Sequence, residues 1–385
     1  MTEIHGTVAP GWESASAAFA ANFENDLELG ASFYMTHQGN PVVDIWAGDA
    51  DPSGTPWAED TMVNVYSTTK TMTFIAIMML VDRGQLDVHE KVATYWPEFA
   101  QNGKGNVTIA EVMSHRAGIP GFDPSIKTED LYDWDAVVAQ LAGQTPWLEP
   151  GGDSAYHAVT QGFLLGEIVR RIDGRPFGTF FREEIAGPLG ADFHVGFGPE
   201  HDAKCGELIP PEIDMSEAAF AAAGMPAGSL AARTMTSVPI TAREPQTRAW
   251  RAAEIPAAGG FGNARSIGRI HSALACGGSV DGVTLMSPDT LEMVTETQSH
   301  GPDGVLLLEM HFGLGFGLTS ETVPLPNNRT IYWGGYGGSL AIIDLESQLT
   351  FTYVMNRMSS GLAADERGMS LVLAGYLAAM TAAAG

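Results

Sequence analysis

The chain has 385 residues, more than one hydrophobic core usually takes up, so one large two-part unit or two domains is expected. Hydrophobic residues make up 45% and charged residues 17%, enough apolar material to exclude disorder as the dominant state. A net charge of −26, from 46 acidic and 20 basic residues, argues against nucleic-acid and anionic-membrane partners, which need clustered cations.

Residues 1–29 read as a helix, with Ala18, Phe19, Ala21, Phe23 and Leu27 spaced among polar residues. Two strands follow at 31–36 and 42–47, joined by the turn signal Gln38-Gly39-Asn40-Pro41. Residues 68–83 are strongly helical and mostly apolar, so that helix is expected to be buried. From Lys91 to about Arg182 helical patterns dominate, with segments at 107–114 and 160–172, the latter ended by Asp173-Gly174. Residues 200–250, rich in Ala, Pro and Met, have only weak periodicity. Gly259-Gly260-Phe261-Gly262 marks a break before helices at 266–275 and 288–297. Strands are expected at 313–319, 330–333, 339–344 and 349–355, then a closing helix at 365–379.

Strands at both ends of a chain most economically share one sheet. The expected fold class is α+β: an antiparallel sheet flanked by the terminal helices, with an inserted, mostly helical lobe. The sheet part comprises 1–66 and 255–385, and the helical part 67–254. A cleft between the two is a favoured place for a ligand. No apolar run reaches the length of a membrane span, and the N-terminus lacks the basic and apolar regions of a signal peptide, so a cytoplasmic protein without a membrane partner is expected. With only Cys205 and Cys276, a disulfide framework is excluded.

Three segments carry chemistry. Ser67 and Lys70 open the apolar helix three residues apart, hence on one face and within reach of each other. A serine hydroxyl needs an adjacent base to become a nucleophile. Lysine can be that base when burial lowers its pKa. The second segment is the loop Glu149-Pro150-Gly151-Gly152-Asp153-Ser154-Ala155-Tyr156-His157. Its tyrosine can handle protons if a cation such as Lys70 lowers its pKa, with His157 as a competing base. The third, Trp333-Gly334-Gly335-Tyr336-Gly337-Gly338-Ser339, sets glycines directly after a strand, where bare N–H groups can face a developing oxyanion. Ser339 nearly fits a nucleophile elbow, but a strand follows it where that motif needs a helix. No H-E-x-x-H, C-x-x-C or phosphate loop occurs, so neither a metal nor any other cofactor is expected; His194 and His201 share a loop without a plausible third ligand.

In this order and at these separations, the segments resemble the serine β-lactamase-like superfamily, above all class C β-lactamases and family VIII carboxylesterases. Ser114-His115-Arg116-Ala117-Gly118-Ile119-Pro120, Gly187-Pro188-Leu189-Gly190 and Tyr353-Val354-Met355-Asn356-Arg357 add to the likeness. The resemblance implies a β-lactamase/transpeptidase-like fold. It implies Ser67 as the acylated nucleophile, Lys70 and Tyr156 as the proton-handling pair, and the N–H groups of Ser67 and Tyr336 as the oxyanion hole. Tyr66, His157, Trp333, Gly334 and Gly335 are expected to contact substrate. Two departures stand out: Ala158 replaces the Asn, and Trp333 the Lys, that serve β-lactam recognition in class C enzymes. Trp-Gly-Gly looks like the esterase version. The expected function is hydrolysis of a small-molecule carboxylic ester, with Tyr156, ionised beside Lys70, taking the Ser67 proton. Amide or peptide hydrolysis, β-lactam hydrolysis and acyl transfer are alternatives on the same residues, and a non-catalytic sensor or scaffold is one of another class.

Overall fold

The computed structural model describes residues 2–211, 224–361 and 365–382. The first quarter of the chain forms β1 (Ile4–Val8), β2 (Gly30–His37), β3 (Asn40–Gly48) and the short β4 (Val63–Asn64). The middle adds β5 (His194–Val195), β6 (Gly260–Gly262) and a hairpin of β7 (Ser279–Val280) and β8 (Val283–Thr284). The last part supplies β9 (Ser299–Pro302), β10 (Glu309–Phe312), β11 (Gly317–Leu318), β12 (Thr330–Gly334), β13 (Leu340–Asp344) and β14 (Leu349–Met355). Nine of these build one antiparallel sheet in the order β1-β3-β2-β14-β13-β12-β11-β10-β9. The two chain ends meet at β2 and β14, whose pairing runs from Leu349↔His37 to Met355↔Ala31.

Seven helices position the sheet and the site: α1 (Glu13–Glu24), α2 (Thr69–Asp82), α3 (Ile109–Met113), α4 (Trp134–Gly143), α5 (Thr160–Asp173), α6 (Ala264–Ala275) and α7 (Glu366–Ala382). The central strands are covered on both faces. Successive side chains of a strand point to opposite faces. Accordingly Tyr34 and Thr352 meet α6, while Phe351 meets Tyr376 of α7 with ring centroids 4.7 Å apart. The α6 contact is so close that a Cβ on Gly268 would fall 2.3 Å from the Tyr34 ring. Double coverage explains why β14 is buried along its whole length, Thr350 and Thr352 included. α7 packs along α1, so the two ends of the chain share that layer. No helix among the described residues is long and apolar enough to cross a membrane.

Four expectations change. Residues 1–29 are not one helix: β1 pairs with β3 from Ile4↔Ala47 to Val8↔Val43 as the sheet edge, and only Glu13–Glu24 is helical. Backbone pairing at the edge overrides a polar segment with little pattern of its own. The strand expected at 313–319 is two short strands; Gly313 N–H donates to Phe316 O at 2.9 Å and closes a turn between them. The break at 259–262 is β6, the centre of a second small sheet, β4-β6-β5. The helix expected at 288–297 stops at Met293. Of the poorly patterned stretch 200–250, residues 212–223 lie outside the described residues.

Candidate active site

Ser67 sits in a single 3-10 turn, Tyr66–Thr68, that runs straight into α2. Among residues 61–80 it alone is not buried. The preceding residue, Tyr66, has φ +41°, a left-handed conformation that is unfavourable for a bulky side chain. Its surroundings hold it there. Tyr66 N–H donates to Asn64 Oδ1 at 3.2 Å, and the Asn64 amide donates to the carbonyls of Ala258 (3.0 Å) and Gly260 (3.2 Å). The Tyr66 phenol donates to Thr241 O at 3.1 Å. The turn is thereby tied to β6 and to the segment before it.

Lys70 follows one helical turn later, and its Nζ lies 3.2 Å from Ser67 Oγ. It also donates to the carbonyls of Ala158 at 2.7 Å and Ala257 at 3.0 Å. The residue is 1% exposed, and no carboxylate pairs with it among the described residues. Uncompensated burial holds its pKa well below the usual lysine value. A neutral amine fits these contacts: two N–H bonds serve the two carbonyls, and a lone pair is left for the serine.

Tyr156 closes the constellation, its phenol donating to Ser67 Oγ at 2.6 Å. Lys70 Nζ stands 4.8 Å from the centroid of its ring. Burial pushes the phenol pKa up; the Ser67 hydrogen bond offsets this in part, and the nearby Asp303 charge adds to it. Both shifts run toward the uncharged forms, a neutral amine and a protonated phenol, and away from the expected tyrosinate beside an ammonium.

Trp333, next to last in β12, lies with its ring 5.6 Å from that of Tyr156. A Cβ on Gly335 would fall 2.2 Å from Val65 O, so only glycine lets this backbone come so near the serine turn. Tyr336 packs edge-to-face on Tyr66 at 5.5 Å. Among the described residues, neither the Ser67 nor the Tyr336 backbone N–H has a hydrogen-bond acceptor. Ser339 is buried and bonded to Thr68 Oγ1 (2.9 Å) and Val65 O (3.0 Å), a brace and not a nucleophile.

His157 departs from expectation. It is fully buried: Nδ1 lies 2.6 Å from Ala155 O, and Nε2 accepts from Ile119 N–H at 3.3 Å. Burial lowers its pKa to about 4, and with both nitrogens engaged the ring offers nothing to a substrate. The pair His194 and His201 does have a third neighbour, Asp192, whose Oδ1 lies 2.7 Å from His194 Nε2; its other oxygen takes the Lys204 ammonium at 2.7 Å. Sequence reasoning missed Asn64, close by in the chain, and Asp303 and the Ala257 carbonyl, which position the site from a distance along it.

The sequence profile of the family described as Beta-lactamase matches residues 19–375, so the chain belongs to that family. It is similar to the Esterase/beta-lactamase LipL of Mycobacterium tuberculosis, 34% identical over 367 residues that span 93% of this chain and 84% of the relative. Among solved structures, a family VIII carboxylesterase aligns with a TM-score of 0.91 at 38% identity, over 98% of this chain and 100% of that one. A penicillin-binding protein homologue from Caulobacter crescentus aligns at 0.88 with 35% identity, over 98% and 100%.

Proposed function

We propose that the chain is a serine hydrolase that cleaves small carboxylic esters through an acyl-enzyme on Ser67. Its site would lie in a cleft between a sheet body (1–66 and 255–385) and a helical body (67–254). The observation that carries the reading is the convergence of Tyr156 and Lys70 on one hydroxyl, at 2.6 and 3.2 Å. Neutral Lys70 takes the Ser67 proton as Oγ bonds to the ester carbonyl carbon. The N–H groups of Ser67 and Tyr336 receive the oxyanion, each worth about 3–4 kcal/mol in such sites. The C–O bond to the alcohol then breaks. Tyr156 gives its proton to the departing alkoxide and recovers one from the Lys70 ammonium. Water repeats the sequence and releases the acid.

Ala158 and Trp333 stand where the class C pattern has Asn and Lys, which supports esters over β-lactams. The family VIII carboxylesterase among the similar structures points the same way, while the name of LipL carries both activities. The test is a panel of short- and long-chain p-nitrophenyl esters, a p-nitroanilide and nitrocefin, assayed with wild type and Ser67→Ala. Ester turnover is expected to dominate and to vanish in Ser67→Ala while folding is kept. Nitrocefin or anilide turnover matching that of the esters would contradict the assignment.

A further inference from the structure

The N–H groups of Ala155, Tyr156 and His157 all have acceptors outside their own loop. Ala155 donates to His115 O at 3.0 Å, Tyr156 to Asp303 Oδ1 at 3.0 Å, and His157 to His115 Nδ1 at 3.1 Å. Asp303 Oδ1 also accepts from Val305 at 2.9 Å and Leu306 at 2.8 Å, and Gly304 N–H reaches Ser154 O at 2.9 Å. One carboxylate oxygen thus joins the loop after β9 to the loop that carries the phenol. Asp303 is 2% exposed, Oδ2 has no partner, and no cation pairs with it among the described residues. Burying a carboxylate without a cation is costly, and a neutral side chain could cap Val305 and Leu306 equally well. What the carboxylate adds is a charge-assisted grip on a third N–H, that of Tyr156.

We propose that Asp303 is a positioning residue for the reaction: its carboxylate fixes the Tyr156 backbone and so holds the phenol against Ser67 Oγ. The proposal rests on reading Tyr156 as a proton carrier. Its leverage is geometric, because a shift of about 1 Å at reacting groups can cost on the order of 100-fold in rate. His115 complements it: the ring packs edge-on against the Tyr156 ring at 4.9 Å, and its Nε2 has no partner. The Asp303 charge also opposes ionisation of the phenol, which keeps the proton available for the leaving alcohol.

The test measures kcat and KM on a p-nitrophenyl ester, with thermal melts, for wild type, Asp303→Ala, Asp303→Asn, Tyr156→Phe and the Tyr156→Phe/Asp303→Ala double variant. Asp303→Ala is expected to lower kcat by about 30- to 100-fold with KM within about threefold. The double variant is expected within about threefold of Tyr156→Phe alone, because losses that act through one group do not multiply. A folded Asp303→Ala protein with kcat within about threefold of wild type, or losses that multiply in the double variant, would overturn the proposal. If Asp303→Ala does not fold, Asp303→Asn decides the question: its neutral amide oxygen can cap Val305 and Leu306 but holds the Tyr156 N–H more weakly, so kcat is expected to fall with KM little changed, and a kcat within about threefold of wild type would overturn the proposal. The titratable groups around the phenol are Lys70, His115, His157 and Asp303, and only the last is changed. With that charge gone, the phenol should ionise more easily, so the alkaline limb of the kcat profile should move to lower pH. A limb that moves to higher pH would contradict the proposal. Wild-type turnover in Tyr156→Phe would instead remove the reading beneath it, and the single variant reports that separately.

Discussion

Lys70 is buried with no carboxylate partner among the described residues, and its Nζ meets two carbonyls and a hydroxyl. A base with a depressed pKa is free above that pKa and protonated below it. The kcat/KM profile is therefore predicted to fall as pH drops through the Lys70 pKa, while the raised Tyr156 pKa extends activity into the alkaline range. Lys70→Ala should cost about 10²–10⁴-fold in ester turnover, as losing a general base commonly does. Lys70→Arg should not restore it, because a guanidinium stays protonated. A pH–rate series on the three proteins checks both points, and a Lys70→Ala rate within tenfold of wild type would reject the role. Spacing alone showed Ser67 and Lys70 on one helical face. It could not show Ala257, 187 residues away, or Asp303, 147 residues from Tyr156, because hydrogen bonds to distant backbone leave no local pattern.

The elements that hold the site were legible where burial has a period, and illegible where two or three residues pair by backbone alone. α2, β12, β13 and β14 lie close to their expected places because each is apolar along its length or alternates cleanly. β4, β5 and β6 span two or three residues each, too short for any periodicity, yet β6 follows the carbonyls that orient Lys70. At the join of sheet and α7, Glu28 is buried with Tyr353 and Arg367: the phenol of Tyr353 donates to Glu28, and Arg367 Nη1 lies 3.2 Å from Glu28 Oε2. Burial raises the Glu28 pKa to about 7 despite the opposing Arg367 charge. Between about pH 4.5 and 7 the unfolded chain has released this proton and the folded protein still holds it. Stability should therefore fall as pH rises through that window, by on the order of 3 kcal/mol from this group. Urea unfolding at pH 5 and pH 7.5 checks this. Glu28→Gln should flatten the difference, and an equal slope in that variant would contradict the assignment. Packing between α6 and the sheet makes a second prediction: Gly268→Val should cost about 1–3 kcal/mol, since its Cβ would overlap the Tyr34 ring. Thermal melts decide it, and a melting temperature no lower than wild type would show that the layer can give way.

For the molecule as a whole, the strands at both chain ends read as one sheet, and the structure closes that sheet through β2 and β14. The arrangement brings Lys70 on α2, Tyr156 on the loop before α5, and the Gly335-Tyr336 backbone after β12 around the hydroxyl of Ser67, in the turn that leads into α2. The stretch 200–250 was not legible, because its Ala, Pro and Met residues follow neither a helical nor a strand period. The overall charge of −26 supplies solubility and self-repulsion and takes no part in the chemistry. Central to the proposed function is the covalent acylation of Ser67 during turnover. Rapid quench of the protein with a p-nitrophenyl ester, followed by peptide mass spectrometry, tests this most directly. The account predicts a transient acyl mass on the peptide containing Ser67, absent in Ser67→Ala. Steady ester turnover with the label on another residue, or with no label in wild type and Lys70→Ala alike, would contradict it.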